Sequence, residues 1–193
     1  MKTTKVRRFS FRRSLLACAA LAACAAYGRA EAATVRGATD AAVVWVSAPN
    51  ALPPPTTVEM RNSHRTFIPP FVAIAAGSSV RFPNDDPFFH SIYSDSKIDP
   101  FDIGYYGPGP GKSVLFAQPG VIAVHCHIHA SMHATIVVTD GPFATSEGGR
   151  YEIDGVPPGK HALHAWDPTH GERTLSIVVP ANDATVTMDV KAR

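Results

Sequence analysis

The chain has 193 residues, with 18 Lys or Arg, 16 Asp or Glu and nine His, and a formal net charge of +2 at pH 7. This length suits one or two small domains. This small basic excess is the only compositional support for a nucleic-acid partner, since binding nucleic acid needs clustered Lys and Arg.

Residues 1–32 have the composition of a secretory signal peptide. Residues 1–13 carry six basic side chains and no acid, the apolar run "SLLACAALAACAAY" follows, and small residues at Ala30 and Ala32 predict cleavage after Ala32. The run is too short to span a bilayer comfortably, so we expect no transmembrane span and a periplasmic protein. Two alternatives remain open. The paired arginines of "FRRSLL" indicate a twin-arginine route, and "LAAC" resembles a lipobox that would make Cys24 a lipid anchor on the membrane.

Removal of this segment changes the charge and the cysteine count. Seven basic residues and one acidic residue are removed, so the mature chain has 11 basic and 15 acidic residues and a net charge of −4. A nucleic-acid partner thereby loses its only compositional support. Cys18 and Cys24 leave too, so Cys126 is the only cysteine of the mature chain and an internal disulfide is excluded. A lone thiol in an oxidising compartment is prone to oxidation unless a ligand occupies it.

The mature chain is predicted to be all β. Turn signals such as "FPNDD", "GPGPG", "TDGP" and "VPPG" separate short, β-branched apolar runs. Many short strands with turns between them indicate a sandwich or a barrel. We find no amphipathic helix and no repeat of fixed period in it. The runs, in chain order, are "AAVVWV", "FVAIAAG", "SSVRF", "SVLF", "VIAVHC", "ATIVV", "TLSIVVP" and "ATVTMDV".

His90 is the first strong candidate for a metal ligand along the chain. It follows "RFPNDDPFF" and precedes "SIYS", where one strand is expected to finish and another to start. His64 lies among polar residues near a strand start and is a weaker candidate. His161, His164 and His170 fall in a C-terminal segment that looks like a separate unit, and the first two indicate an exposed strand rather than a site.

The stretch "VHCHIHASMHA" concentrates soft and borderline ligands. In a strand ending "VIAVHC", Val124 and Cys126 project to one face, the predicted core, and His125 projects to the other. The next strand is predicted at "HATIVV", so "HIHASM" must turn back over the end of the sandwich. Such a loop would bring His129 and Met132 round to Cys126.

The spacing Cys-x-x-His-x-x-Met points to copper. A thiolate, an imidazole and a thioether on one loop match copper far better than zinc or calcium, because Met is rarely a zinc ligand and carboxylates are absent. Blue-copper sites have two imidazoles and a thiolate in a plane with a distant axial Met, so one histidine must come from elsewhere. The predicted ligands of one type 1 copper per chain are His90, Cys126, His129 and Met132.

The order "FIPPFVAIAAGSSVRFPNDD", then His90, then "FAQPGVIAVHCHIHASM" resembles the cupredoxins, blue copper electron carriers such as plastocyanin and amicyanin. The resemblance covers about Val58 to Thr139 and implies a Greek-key β-sandwich with the four copper ligands named above. The family often has Asn after the first histidine, whereas this chain has Ser91. Asn84 resembles an asparagine that ties the two ligand loops together.

The histidines beside the motif are open to two interpretations. "HCH" resembles the bridge of multicopper oxidases, but their trinuclear cluster needs several further His-x-His pairs, which this chain lacks. His125 and His127 are therefore expected to be ordinary polar residues on a strand edge. The alternative is a second copper at a subunit interface, as in nitrite reductases. His133 is expected to face solvent.

A small second β-sandwich is expected beside the first. "GPFATSEGGRYEIDGVPPGKHALHAWDP" looks like the carboxypeptidase regulatory-like, transthyretin-type sandwich, but residues 141–193 alone would struggle to bury a core. Residues 34–56 look like its missing opening strands, and "NALPPPTT" like the linker into the cupredoxin segment, residues 58–139.

These features predict an electron carrier rather than an enzyme, since an intact four-ligand set leaves no open coordination position. His129 is expected to be the exit ligand, and the partners are expected to be redox proteins, such as a periplasmic dehydrogenase or a cytochrome. The alternatives are a module that stores or delivers copper and a metal-free interaction protein. The predicted docking patch comprises Pro87, Phe88, Phe89, Ala130, Tyr105 and Tyr106.

Overall fold

The computed structural model describes residues 32–181 and 185–191. Within these ranges the chain forms 17 strands, one 3-10 turn at Pro49–Ala51 and no α-helix, so the all-β prediction is confirmed. None of the described residues forms a helix long and apolar enough to cross a membrane. The signal segment up to residue 31, with the possible anchor Cys24, lies outside the described residues.

The strands are short because turn residues interrupt the chain at short intervals. In chain order they are β1 (Ala33–Ala38), β2 (Val43–Val46), β3 (Thr57–Glu59), β4 (Arg61–Ser63), β5 (Thr66–Ile68), β6 (Phe71–Ala75), β7 (Ser78–Asn84), β8 (His90–Ser94), β9 (Phe101–Tyr106), β10 (Gly109–Phe116), β11 (Gly120–Cys126), β12 (His133–Thr139), β13 (Phe143–Thr145), β14 (Arg150–Val156), β15 (Gly159–Asp167), β16 (Gly171–Val179) and β17 (Thr185–Thr187).

The central part of the chain forms a sandwich of two five-stranded sheets. One sheet has the order β10-β7-β4-β5, with β3 also paired to β7, and the other has the order β6-β12-β11-β8-β9. Alternating residues of each strand point inward, so the two inner faces share one apolar core. That core includes Met60, Phe67, Ile74, Val80, Phe82, Ile92, Phe116, Ile122, Val124, Ile136 and Val138.

Strands from both ends of the described chain build a second pair of sheets. The early strand β1 lies between β14 and β17, and β2 lies between β13 and β15, with β16 at the far edge. The core between these sheets includes Val35, Val44, Val46, Tyr151, Ile153, Val156, Leu163, Ala165, Ile177 and Val179.

A third apolar cluster joins the two pairs of sheets. Val43 and Trp45 project from β2 away from its own core and pack with Trp166 and with Val137 of β12. Phe71 meets Trp166 edge-on, with ring centroids 5.6 Å apart. The continuous apolar run "VVWV" follows from this arrangement, because β2 is buried on both faces.

Two glycines of similar backbone conformation give a matched test of the fold. Gly111 (φ +69°) lies beside a register shift between β10 and β7, and an added Cβ would come within 1.8 Å of the Phe82 carbonyl oxygen. Gly104 (φ +66°) has open space at the same position. We expect Gly104→Ala to lower the free energy of unfolding by about 1 kcal/mol through backbone strain alone. Gly111→Ala should lower it by more than about 3 kcal/mol, because the backbone of β7 must also move. Denaturant unfolding measures both, and equal losses would contradict the close approach of β10 to β7.

Candidate metal centre

Two neighbouring antiparallel strands bring His90 and Cys126 together. His90 opens β8 and Cys126 closes β11, and Cys126 pairs with Ile92 in the ladder between them. The burial of β11 alternates, with Val124 and Cys126 buried and His125 half-buried, so the predicted alternation is confirmed. Cys126 therefore points into the core at the end of the sandwich.

Three of the predicted ligands converge there. The Cys126 Sγ atom lies 3.7 Å from Nδ1 of His90 and 3.9 Å from Nδ1 of His129. Within the described part of the chain, these three side chains are the only group of three or more His, Cys, Asp or Glu whose ligand atoms all lie within 4.8 Å of one another. His90 is completely buried, Cys126 is 5% exposed and His129 is half-buried.

The loop after β11 turns tightly, which returns the chain to this point. The Met132 amide donates to the His129 carbonyl over 2.9 Å, closing a turn, and β12 starts at His133 as predicted. The Met132 side chain is 1% exposed and belongs to the same apolar cluster as Cys126. The loop therefore directs a thioether inward and leaves the His129 ring at the boundary with solvent.

A buried carboxylate fixes the tautomer of His90. Asp86 Oδ2 lies 3.0 Å from His90 Nε2. A carboxylate only accepts hydrogen bonds, so Nε2 carries the proton and the bare Nδ1 faces Cys126. Burial lowers the pKa of His90 despite this bond, which keeps the ring neutral as a metal ligand must be. Sequence reasoning missed Asp86, and the only available signal was its position four residues before a candidate ligand.

Asp86 is itself held by the turn between β4 and β5. The backbone amides of His64 and Arg65, both at positive φ, donate to its two carboxylate oxygens over 2.6 and 3.0 Å. Burial opposes the charge on Asp86, but these amides and His90 outweigh it, so the pKa of Asp86 lies below its ordinary value. His64 thus acts through its backbone and not as a metal ligand.

Asn84 stabilises one ligand loop rather than joining two. Its Nδ2 donates to the Phe88 carbonyl over 2.8 Å, and its Oδ1 accepts the Asp86 amide over 3.0 Å. Both partners lie in the loop that leads to His90, so the expectation that Asn84 ties the two ligand loops together is wrong. Its effect is to fix the approach of the chain to His90.

Aromatic side chains cover the histidines. Phe88 is half-buried, and its ring centroid lies 5.5 Å from that of His90 and 5.4 Å from that of His129. Tyr106 pairs with His90 in the β8–β9 ladder and is 9% exposed. Burial raises the pKa of Tyr106, and its hydroxyl accepts a hydrogen bond from Asn62. Tyr106 is thus buried, and its inclusion in the predicted surface patch is wrong.

The rest of the predicted patch reaches the surface to different degrees. Phe89 is 60% and Tyr105 69% exposed, and Pro87 and Ala130 are also exposed. Sequence reasoning missed Ile128, an exposed apolar residue of the ligand loop beside His129. An isolated apolar residue between two histidines carries no local signal of exposure.

Ser91 is buried, and its hydroxyl has no hydrogen-bond partner. Its carbonyl accepts the His127 amide over 2.9 Å, which links the start of β8 to the start of the ligand loop. The backbone therefore makes this connection between the two ligand segments, and the side chain does not.

His161 and His164 are not on an exposed strand, so that expectation is wrong. Both lie on β15, an interior strand of its sheet, and both are half-buried. His164 stacks on Trp45 with ring centroids 4.7 Å apart. His161 contacts the carbonyl oxygens of Ser47 and Pro157 at 3.1 and 2.8 Å. Both rings are structural parts of the second sandwich.

Comparison with known proteins identifies the family to which the chain belongs. No family model matches the sequence. The plastocyanins of Ulva arasakii and Ulva pertusa are each 30% identical to the chain over 82 residues, which covers 38% of this chain and 84% of the plastocyanin. The chain belongs to the cupredoxin family. The predicted cupredoxin resemblance is therefore confirmed.

Solved structures also resemble part of this cupredoxin. Amicyanin from Paracoccus versutus has a TM-score of 0.40 and 20% identity, and the match covers 49% of this chain and 96% of amicyanin. The copper-containing nitrite reductase NirK from Thermus scotoductus has a TM-score of 0.40 and 28% identity, and the match covers 45% of this chain and 22% of the reductase. The match therefore spans only about a fifth of the reductase chain. The resemblance of residues 141–193 to a carboxypeptidase regulatory-like sandwich stays a prediction.

The donor set fits copper. Two imidazole nitrogens and one sulfur converge at the end of the sandwich, and a buried thioether lies in the adjoining core. Soft sulfur donors with imidazole select copper over calcium or magnesium, and the fixed His90 tautomer leaves the correct nitrogen free. The one sulfur ligand of the trio is the only described cysteine, and it forms no disulfide with another described residue.

Proposed function

We propose that this cupredoxin is an exported type 1 copper protein that carries single electrons between redox partners. The observation that carries the proposal is the convergence of His90, Cys126 and His129 at the buried end of the sandwich. Membership of the cupredoxin family supports a copper-binding electron-transfer protein in general terms.

One copper per chain would be held by His90, Cys126 and His129, with the Met132 thioether as a fourth, weaker ligand. Bound copper would supply one-electron chemistry between its Cu(II) and Cu(I) states. The chain contributes rigidity, because two ligands sit on paired strands and His90 is anchored by Asp86. Ligands held this firmly move little when the charge changes, which favours fast transfer.

The exposed surroundings of His129 support a docking role. His129 is half-buried and has exposed neighbours in the chain, Ile128 and Ala130, and Phe89 in the His90 loop exposes a large apolar side chain. Small apolar interfaces suit weak redox encounters. The partner would be a redox protein, such as a periplasmic dehydrogenase or a cytochrome, and the mature net charge of −4 would steer a basic one at low salt.

Burial of the ligands favours an electron carrier over copper storage or delivery. A module that exchanges copper needs ligands that a partner can reach, whereas His90, Cys126 and Met132 are at most 5% exposed. Export to the periplasm by the signal segment 1–32, with a lipid anchor at Cys24 as the alternative, belongs to the same proposal. So does the division into a copper domain, residues 58–139, and a second sandwich from residues 34–56 and 141–193.

Reversible redox cycling tests this function. Copper-loaded mature protein should lose its visible colour when one electron per copper is added and regain it on reoxidation, over many cycles. Met132→Leu should keep the copper and the colour but raise the reduction potential, because loss of a weak donor favours the lower-coordinate Cu(I) state. Voltammetry measures the reversibility of the redox cycle and the shift in reduction potential. Copper that leaves on reduction would favour delivery, and turnover of nitrite or oxygen would make the protein an enzyme.

A further inference from the structure

Three histidines close to the copper centre take no part in it. They lie where β11, the ligand loop and β12 meet, with His125 half-buried and His127 and His133 exposed. Cys126 and Val124 point into the core, so His125 projects to the outer face of the same sheet. Any site there is separated from the copper centre by the thickness of one strand.

Two of these histidines are direct cross-strand neighbours. His125 of β11 pairs with His133 of the antiparallel strand β12. Residues directly opposite in an antiparallel ladder share one face, with Cβ atoms about 4.5–5.5 Å apart. Two imidazoles at that separation can direct one nitrogen each to a single ion. Among the described residues, no hydrogen bond engages the ring nitrogens of either histidine, so all four remain available.

The neighbouring strands extend this row and keep it accessible. Tyr93 of β8 pairs with His125 on the other side, and His127 stacks on Tyr93 with ring centroids 3.8 Å apart. His127 Nε2 lies 3.1 Å from the Asp102 carboxylate, which orients the ring. The second pair of sheets covers the same outer face only further along, where Val137 is fully buried.

We propose that His125 and His133 form a second metal site, on the outer face of the sheet, for a divalent transition ion that prefers imidazole. Cu(II) should bind most tightly of the first-row ions, followed by Zn(II) and Ni(II) in weaker complexes. Water completes the coordination, because the site is open to solvent. The two ligands come from one chain, so the site needs no partner subunit and does not depend on the copper centre being blue.

A titration with a second equivalent of Cu(II) tests the site. Protein already carrying one copper should bind the second equivalent with a tetragonal EPR spectrum showing nitrogen hyperfine structure. His125→Gln and His133→Gln should each weaken that binding by about a hundredfold, because loss of one ligand removes the chelate's effective concentration. The doubly substituted protein should bind the second equivalent no more tightly than either single variant.

Matched controls separate this site from weak binding to any exposed histidine. His170→Gln removes an exposed histidine that contacts Asp167 and lies outside both the pair and the metal centre, so it should leave binding of the second equivalent unchanged. An affinity unaffected by His133→Gln, an equal loss in His170→Gln, or one ion held between two chains in sedimentation experiments would overturn the proposal. Repeating the titration with Ni(II) in Cys126→Ser protein keeps the test independent of electron transfer, since binding there should still depend on His133.

Discussion

Cys126→Ser is expected to abolish the intense visible absorption of the copper-loaded protein. That absorption would arise from charge transfer between sulfur and Cu(II), and Cys126 supplies the one sulfur atom of the trio. Serine keeps the size of the side chain but its oxygen is a hard, protonated donor. The effect is measured by recording the visible spectrum of protein that begins at Ala33, with one equivalent of Cu(II) added.

His127→Gln is the matched control for this substitution. His127 is one residue from Cys126, but its ring stacks on Tyr93 on the other face and does not join the trio. The His127→Gln protein should therefore keep the full visible absorption band. A colourless unsubstituted protein would refute the blue copper assignment itself. Equal colour in the Cys126→Ser protein would show that another residue supplies the chromophore.

Asp86→Asn is expected to weaken copper binding by about tenfold to a hundredfold and to destabilise the metal-free protein by about 3 kcal/mol. All three partners of the Asp86 carboxylate are donors, namely the His64 and Arg65 amides and His90 Nε2. The amide group of asparagine would turn a donor towards one of them, leaving a buried N–H without an acceptor. Competition against a copper chelator and denaturant unfolding measure the two effects.

The neighbouring carboxylate provides the control. Asp85 is exposed and makes a bidentate ion pair with Arg61 at the surface, so Asp85→Asn should change copper affinity and stability little. Equal effects of the two substitutions would show that Asp86 has no special role in holding His90.

The stabilising effect of Asp86 should depend on pH in a fixed direction. Because its pKa is lowered in the folded protein, its contribution is complete above its ordinary value of 3.8 and is lost as pH falls through the lowered value. The difference in unfolding free energy between unsubstituted and Asp86→Asn protein should therefore shrink in acid. A difference that stays constant down to acid unfolding would mean that the charge of Asp86 is not what stabilises the fold.

Local sequence carried the information for the fold class and for the proposed ligands. Alternation in "VIAVHC" predicted that Cys126 points into the core, and the structure agrees because side chains alternate along a strand whatever its surroundings. The spacing of His129 and Met132 after Cys126 is set by one short loop, which is also local. These features needed no knowledge of how distant strands pair.

Two of the errors had a common origin in long-range packing. Tyr106 looked like a surface aromatic, yet its pairing with His90 turns it into the core. His161 and His164 looked exposed, yet β2 from the other end of the chain lies beside their strand. The sequence does not give the register between strands that are far apart in the chain, so it cannot show which side chains of those strands become covered.

The sequence by itself determined an all-β chain and a short loop with a thiol, an imidazole and a thioether, since each of these depends on neighbouring residues. Only the tertiary structure decided that the β4–β5 turn anchors Asp86, that Asp86 fixes His90, and that His125 faces His133 across two strands. Through Asp86, for example, the structure connects the backbone of His64 to the ring of His90, which lies 26 positions later in the chain. These arrangements exist only once the ladders have formed, because the register of the paired strands sets which side chains meet.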